Sequence, residues 1–469
     1  MYSYLNMKFN VNSRRKRLNV VDLKANHPEK FGRFIMALRN LIESADWPRI
    51  CGIHGDTFKP DDAGVLCPTD PAVVTKIGET GEPFYCKHSV YSFIGWHTPY
   101  VYQFELLLNK YNKSSNRDYI CLPWLDLTDF TVDFSFLNAP EITVFYDKKR
   151  ITVSNPLAGA YYYVNGVKTP TTRAGFFSPT TPGQYLQLRT VKRQLNNALY
   201  APNYEHFSSV PVVHKPANIV VDYVPLETPH NNLHDIIGGD SGNMSDISIS
   251  AFDPIFWLHH CNMDRHYYTW MYNNTAEFST SIYPEKITDA VWNASCAPFT
   301  NKYVYGNDPC GYDYGFLNGT GVYGQLKDYM NLARFPYSYD IIKPEPQAPL
   351  GSFIELIDIP IPAESMVLRA YIWPKGSVLD RDVHFAGSAA WFGVNRQTTP
   401  CERCCVTRTN IKIDINEYVA LVGLKKASMG NYTVTIEGSG RLIKSNLGAY
   451  KTYALDDIVK NGSWEIILP

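Results

Sequence analysis

The chain of 469 residues predicts a mainly α-helical first domain with long loops, followed by a β-sandwich-like second domain. Three observations carry this expectation. Apolar residues recur at helical spacing early in the chain, as Phe31, Phe34, Ile35, Leu38 and Leu41 do. The run Lys343-Pro344-Glu345-Pro346-Gln347-Ala348-Pro349 reads as a stiff, extended connection. Beyond it, short segments rich in β-branched residues are separated by turn residues. The expected organisation is a first domain over 1–340, a proline-rich linker over 341–349 and a β domain over 350–469.

In chain order, periodicity predicts helices over 28–44, 97–109, 230–237 and 253–270, and strands over 367–373, 411–415, 432–436 and 464–468. The connections are rich in Pro, Gly, Tyr and Asn, the composition of structured loops that shape a pocket. The cluster Arg14-Arg15-Lys16-Arg17 is expected to be a solvated lead-in to the first helix. With 44 basic against 45 acidic residues, nothing in the charge balance calls for a nucleic-acid or membrane partner. The first ten residues contain no apolar signal core, and no apolar run is long enough to cross a bilayer. A cytoplasmic location is expected if residue 1 is the native start, and the oligomeric state is left open. Cys51, Cys67, Cys121, Cys261, Cys296 and Cys310 are scattered, the pattern of buried thiols.

The histidines carry the chemistry. His230 and His234 stand four apart on a predicted helix and so share one face. An apolar run ending in His259-His260 supplies a third imidazole, but neighbouring helical residues point about 100° apart, so only one of the two can aim at the same point. Three neutral imidazoles suit copper, nickel or zinc. A zinc peptidase would need a glutamate where Asn231 stands.

The stretch Asp253-Pro254-Ile255-Phe256-Trp257-Leu258-His259-His260-Cys261-Asn262-Met263-Asp264-Arg265 resembles the second copper signature of the type 3 copper proteins, the family of tyrosinases, catechol oxidases and hemocyanins. The helix Pro229-His230-Asn231-Asn232-Leu233-His234 matches it as well, as do three earlier histidines: His54 in Cys51-Gly52-Ile53-His54-Gly55, His88 in Cys86-Lys87-His88, and His97 before Thr98-Pro99. The resemblance implies a four-helix-bundle dicopper core binding two copper ions per chain. His54, His88 and His97 would ligate one, and His230, His234 and His260 the other, with His259 hydrogen-bonded behind the site. It further implies a thioether between Cys86 and His88, and a water held by Glu227 and Asn231 that deprotonates an incoming phenol. Phe256 would stack beneath the histidines, Asp235 would lie at the pocket rim, and Met244 and Ile247 would wall the pocket. Asp264 and Arg265 are expected to pair with each other. His27, His206, His214, His266 and His384 match no motif and are expected to be surface or satisfied histidines.

In the second domain, Cys401-x-x-Cys404 followed by Cys405 is a soft-ligand cluster suited to Cu(I), with a disulfide or reduced surface thiols as the alternative. It resembles the copper-delivery motif of fungal pro-tyrosinases, and Phe392 lies where such proteins carry an aromatic plug. The leading expectation is a phenol oxidase, latent until its second domain is removed. It would use O2 to hydroxylate monophenols and oxidise o-diphenols to o-quinones, a step toward melanin-like pigment. The alternatives are a catechol or o-aminophenol oxidase without monophenol activity, and an oxygen carrier, since His384-Phe385-Ala386-Gly387-Ser388 resembles the hemocyanin second domain.

Overall fold

The computed structural model describes residues 15–54, 86–116, 118–164, 167–209, 224–274, 293, 295–300, 323–329, 335–345, 351–360, 365–391, 408–441, 451–453 and 462–468. Its first part is built on α1 (Val20–Asn26), α2 (Pro28–Ile42), α3 (Asp46–Gly52), α4 (Phe93–Lys110), α5 (Pro182–Ala198), α6 (Glu227–Gly238) and α7 (Pro254–Asn273). Capping explains where the helices start. The side chains of Asn19, Thr181 and Asp253 accept from the amides of Val21, Gln184 and Ile255, and Pro28, Pro182 and Pro254 open their helices. Asp253 is itself held by a two-pronged ion pair with Arg173. Helix α6 ends at Gly239, whose φ of +61° suits glycine, and a Cβ there would meet the Ala174 carbonyl carbon at 2.6 Å.

Helix α7 is buried from Pro254 to Met271, the sign of a helix at the centre of a bundle. It packs on α4 through Phe104, whose ring stacks on Trp257 at 3.9 Å and 8°. Helix α4 starts at Phe93, four residues before the predicted start, so His97 sits in its second turn.

Two sequence expectations are corrected in this core. Arg17 is fully buried rather than solvated: its Nε donates to Glu105 at 2.7 Å, and its Nη1 donates to Asp264 at 3.1 Å and to the Tyr339 hydroxyl at 2.6 Å. The strand β1 (Arg15–Lys16) carries it inward by pairing in parallel with β2 (Tyr337–Ser338). Asp264 and Arg265 do not pair with each other; Arg265 reaches Asp340 at 2.9 Å. Neighbours on a helix point about 100° apart, so each finds its partner on a different side.

The last part forms two antiparallel sheets. One has the order β5 (Phe385–Trp391), β4 (Ser365–Pro374), β7 (Tyr432–Arg441), β8 (Lys451–Tyr453); the other has β6 (Arg408–Asp414), β3 (Phe353–Pro360), β9 (Ser463–Ile467). They share an apolar core that includes Ile354, Leu356, Leu368, Ile372, Phe385, Ile413 and Ile436, and Leu186 of α5 joins it. The predicted mainly α part followed by a β part is what the structure shows. Among the described residues, no helix is long and apolar enough to cross a membrane.

The β part lies against α5 and α6. Arg369 on β4 donates to Asp235 at 3.0 Å and to Asp240 at 2.9 Å, and Arg193 of α5 pairs with Asp414. On β5, the Ala390 amide donates to Asn232 at 3.1 Å and its carbonyl accepts from Asn231 at 3.4 Å. Glu345 in the connection exchanges two 2.8 Å hydrogen bonds with Asn196.

Candidate metal centre

Two buried clusters of metal-ligand residues lie side by side among the described residues: His54, Cys86, His88 and His97, and then His230, His234, His259 and His260. Within each, one ligand atom per residue lies within 4.8 Å of the others. The rings of the two clusters face each other closely. His97 stacks on His260 at 4.6 Å, His88 lies 5.5 Å from His230, and His54 lies 6.2 Å from His260.

The hydrogen bonds decide which nitrogen of each ring points inward. His54 Nδ1 lies 2.9 Å from the Ile247 carbonyl, His97 Nδ1 2.7 Å from the Phe93 carbonyl, and His234 Nδ1 2.7 Å from the Met244 carbonyl. His230 Nδ1 lies 2.7 Å from Asn231 Oδ1, and His88 Nδ1 lies 3.1 Å from the Glu227 carboxylate. A carbonyl can only accept, so Nδ1 carries the proton and Nε2 keeps its lone pair for a metal. His260 Nε2 lies 3.1 and 3.3 Å from the Nε2 atoms of His230 and His234. His230 and His234 keep their Nε2 lone pairs, and His260 Nε2 converges on the same point, the arrangement of three imidazoles around a cation. The buried Nε2 of His54 likewise has no hydrogen-bond partner among the described residues. The residues present therefore fit a metal at each cluster.

Burial keeps these rings neutral. Desolvation first, then the imidazoles of His88 and His97, hold His54 well below the ordinary histidine range. Desolvation also lowers His97, His230 and His260, each with a further contribution from neighbouring imidazoles, and lowers His234 to about 3. Neutral imidazole is the ligand form.

The other predicted site residues fall as follows. Phe256 packs on His260 at 4.1 Å and on His54 at 4.7 Å. Cys86 Sγ lies 3.4 Å from His97 Nε2. Both carboxylate oxygens of Glu227 also accept from the Ser89 amide, at 2.8 and 2.9 Å, and one accepts from the Ser209 hydroxyl. Met244 and Ile247 are buried and contribute the carbonyls that fix His234 and His54. Asp235, expected at the pocket rim, is buried and ion-paired to Arg369 of the β part. A small crevice there is lined by Asn231, Asp235, Met366 and Trp391 among others. His259 stacks on His230 at 5.1 Å, and its Nε2 has no hydrogen-bond partner among the described residues. His266, expected to be at the surface or satisfied, is buried with neither ring nitrogen partnered among the described residues. Phe392, Cys401, Cys404, Cys405 and His214 lie outside the described residues.

Sequence reasoning missed Phe93, which packs on His97 at 4.9 Å, His230 at 4.8 Å and His88 at 5.5 Å. Its position four residues before His97, on the same helix face, was the available signal. The carbonyl acceptors left no trace in side-chain pattern.

Residues 45–273, which carry all six predicted ligand histidines, match the family model described as the common central domain of tyrosinase. That match places residues 45–273 in the tyrosinase family of type 3 copper proteins. The two histidine clusters fit that family's dicopper centre. A tyrosinase of Neurospora crassa is 28% identical over 68% of this chain and 54% of its own length. One of Podospora anserina is 28% identical over 56% of this chain and 52% of its own length, so the chain spans about half the length of these relatives. Hemocyanin 1 of Megathura crenulata is 23% identical over 52% of this chain and 7% of its own. Among solved structures, recombinant mushroom tyrosinase has a TM-score of 0.59 at 18% identity and covers 97% of each chain. The holo-pro-tyrosinase of Aspergillus oryzae has a TM-score of 0.62 at 16% identity, covering 94% of this chain and 95% of its own. At such identities the structural likeness speaks for the fold.

Proposed function

We propose that this chain is a dicopper phenol oxidase that uses O2 to hydroxylate monophenols and oxidise o-diphenols to o-quinones. The observation that carries the reading is the face-to-face placement of two neutral, buried histidine clusters, with rings 4.6–6.2 Å apart across the gap. His54, His88 and His97 would hold one copper, and His230, His234 and His260 the other. His260 is chosen over His259 because its Nε2 converges with those of His230 and His234. Bound copper supplies the two electrons and the oxygen site that no side chain here provides.

The chain's own residues orient and shield. Phe93 and Phe256 pack against the imidazoles, and the carbonyls of Phe93, Met244 and Ile247 hold three rings in their metal-binding tautomer. Glu227 serves first as the acceptor that orients His88. In its second role it accepts a phenol proton through a water shared with Asn231, and this requires Ser209 or Ser89 to yield one of its contacts. Cys86 is placed in the first cluster, where a thioether to His88 would remove that ring's freedom. The β part covers α6 through Arg369 and Ala390, which supports latency: the domain break at 341–349 is the cleavage region, Phe392 the plug, and Cys401 and Cys404 the copper-delivery pair.

The test is oxygen uptake by copper-loaded protein, intact and cleaved at the linker, with a monophenol and with its catechol. Uptake with both, rising on cleavage, is expected. Uptake with the catechol alone moves the reading to catechol oxidase, and reversible oxygen binding without turnover moves it to an oxygen carrier.

A further inference from the structure

One face of α7 carries four polar side chains that the chemistry above does not use. His259, Asn262, His266 and Thr269 are 2%, 0%, 4% and 0% exposed. They stand three, four and three residues apart, which places them on one stripe roughly 80° wide. Six of their polar atoms have no hydrogen-bond partner among the described residues: His259 Nε2, both amide atoms of Asn262, both ring nitrogens of His266, and Thr269 Oγ1. A buried polar group without a partner is costly, because it gives up its hydrogen bonds to water for nothing in return. Six such atoms on one stripe of one helix therefore make a polar track along α7.

The spacing suits water. A rise of 1.5 Å per residue separates successive members by about 4.5–6 Å along the axis. Two hydrogen bonds of about 2.8 Å meeting at one water span such a gap, and each water would find the two or more polar partners it needs.

We propose that this stripe holds a file of buried waters that starts at His259, in the second histidine cluster, and runs along α7 past Thr269 to the exposed Asn273 one turn further on, and that protons given up by a bound phenol leave the pocket along it to bulk solvent. The proton path rests on the phenol-oxidase reading; the water file does not.

His259 is the pocket end, with its ring stacked on His230 and edge-on to His234 at 4.7 Å. His266 is the relay in the middle. A neutral imidazole offers one donor and one acceptor nitrogen. A proton taken at the acceptor is matched by one released at the donor, so the ring changes tautomer and ends uncharged. Burial, then the charge of Arg265, lowers His266 to about 3, so it does not trap the proton. Asn262 and Thr269 present both donor and acceptor character and can pass hydrogen bonds in either direction.

The experiment uses the full copper-loaded chain. A high-resolution crystal structure should show ordered water between successive members of the stripe, and a dry stripe overturns the proposal. His266→Leu removes both nitrogens, whereas His266→Gln keeps a donor and an acceptor. The leucine variant should keep two copper ions, lose catechol turnover by roughly a hundredfold, the low end of the general acid–base range, and show an enlarged solvent deuterium effect on kcat. The glutamine variant should regain most of the loss. Undiminished turnover in His266→Leu, or the same loss in H2O and D2O, overturns the proton path. Should His266→Leu fail to fold, Thr269→Val, which keeps the shape and deletes the hydroxyl, is read against the same criteria. A wild-type chain that oxidises no phenol sinks the function reading and the proton path together, while the crystallographic waters still decide the file.

Discussion

Replacing Arg369 by Met should loosen the β part from the helical part. Arg369 is the cation between Asp235, which is buried, and Asp240, which is exposed. Methionine keeps much of the stem's packing but strands the Asp235 carboxylate without its cation. Breaking a buried pair from one side costs about 3–5 kcal/mol; since the Arg369 side chain is 19% exposed, the lower end applies. About 3 kcal/mol is roughly a hundredfold in the equilibrium between docked and undocked β part. The pH dependence follows. Burial pushes Asp235 up, and the neighbouring Arg369 pulls it back, so the variant's carboxyl should rise further. A raised acid pKa contributes stability that is present below the unfolded value of about 3.9 and is lost as pH rises through the folded value. The variant should therefore be most deficient at neutral pH and recover toward pH 4. The assay is the rate of limited proteolysis at 341–349 together with denaturant unfolding, completed as a double-mutant cycle with Asp235→Asn. The double variant should regain a large part of the loss. A single variant within about 0.5 kcal/mol of wild type, or a coupling energy near zero, would refute the reasoning.

His260→Ala should drop copper content from two to one per chain while His259→Ala retains two, as measured by elemental analysis; the reverse result would exchange their roles. Arg17→Met strands two buried carboxylates, Glu105 and Asp264, and should cost at least about 3 kcal/mol by denaturant unfolding; a loss under 1 kcal/mol would contradict the buried network. Metal-free protein should lose stability as pH falls from about 6.5 toward 3, because His234 and His266 are held at about 3 when folded but protonate freely when unfolded; each contributes a slope of about 1.4 kcal/mol per pH unit, and His266→Leu should remove one such contribution. Glu227→Gln should reduce monophenol turnover far more than catechol turnover if the carboxylate acts as a base, whereas loss of one copper would show that orienting His88 is its sole part.

Much of this molecule is local and was legible from residue order. Spacing of four put His230 and His234 on one face, periodicity placed a helix over 253–270, and proline runs and β-branched alternation marked the change from helix to sheet. These features depend on contacts within one or two turns, which is why pattern reveals them. What the sequence could not determine was partnership at long range. His54 meets the Ile247 carbonyl across 193 positions, Arg17 meets Asp264 across 247, and Asp235 meets Arg369 across 134. The cluster Arg14-Arg15-Lys16-Arg17 read as solvated because isolated charges favour water, yet packing surrounded Arg17 with two carboxylates and a tyrosine, and it is fully buried. Backbone carbonyls carry no identity in the sequence, so only the tertiary structure could show which of them fixes each imidazole, and only close packing of α7 could leave His266 enclosed with both nitrogens facing no protein partner among the described residues.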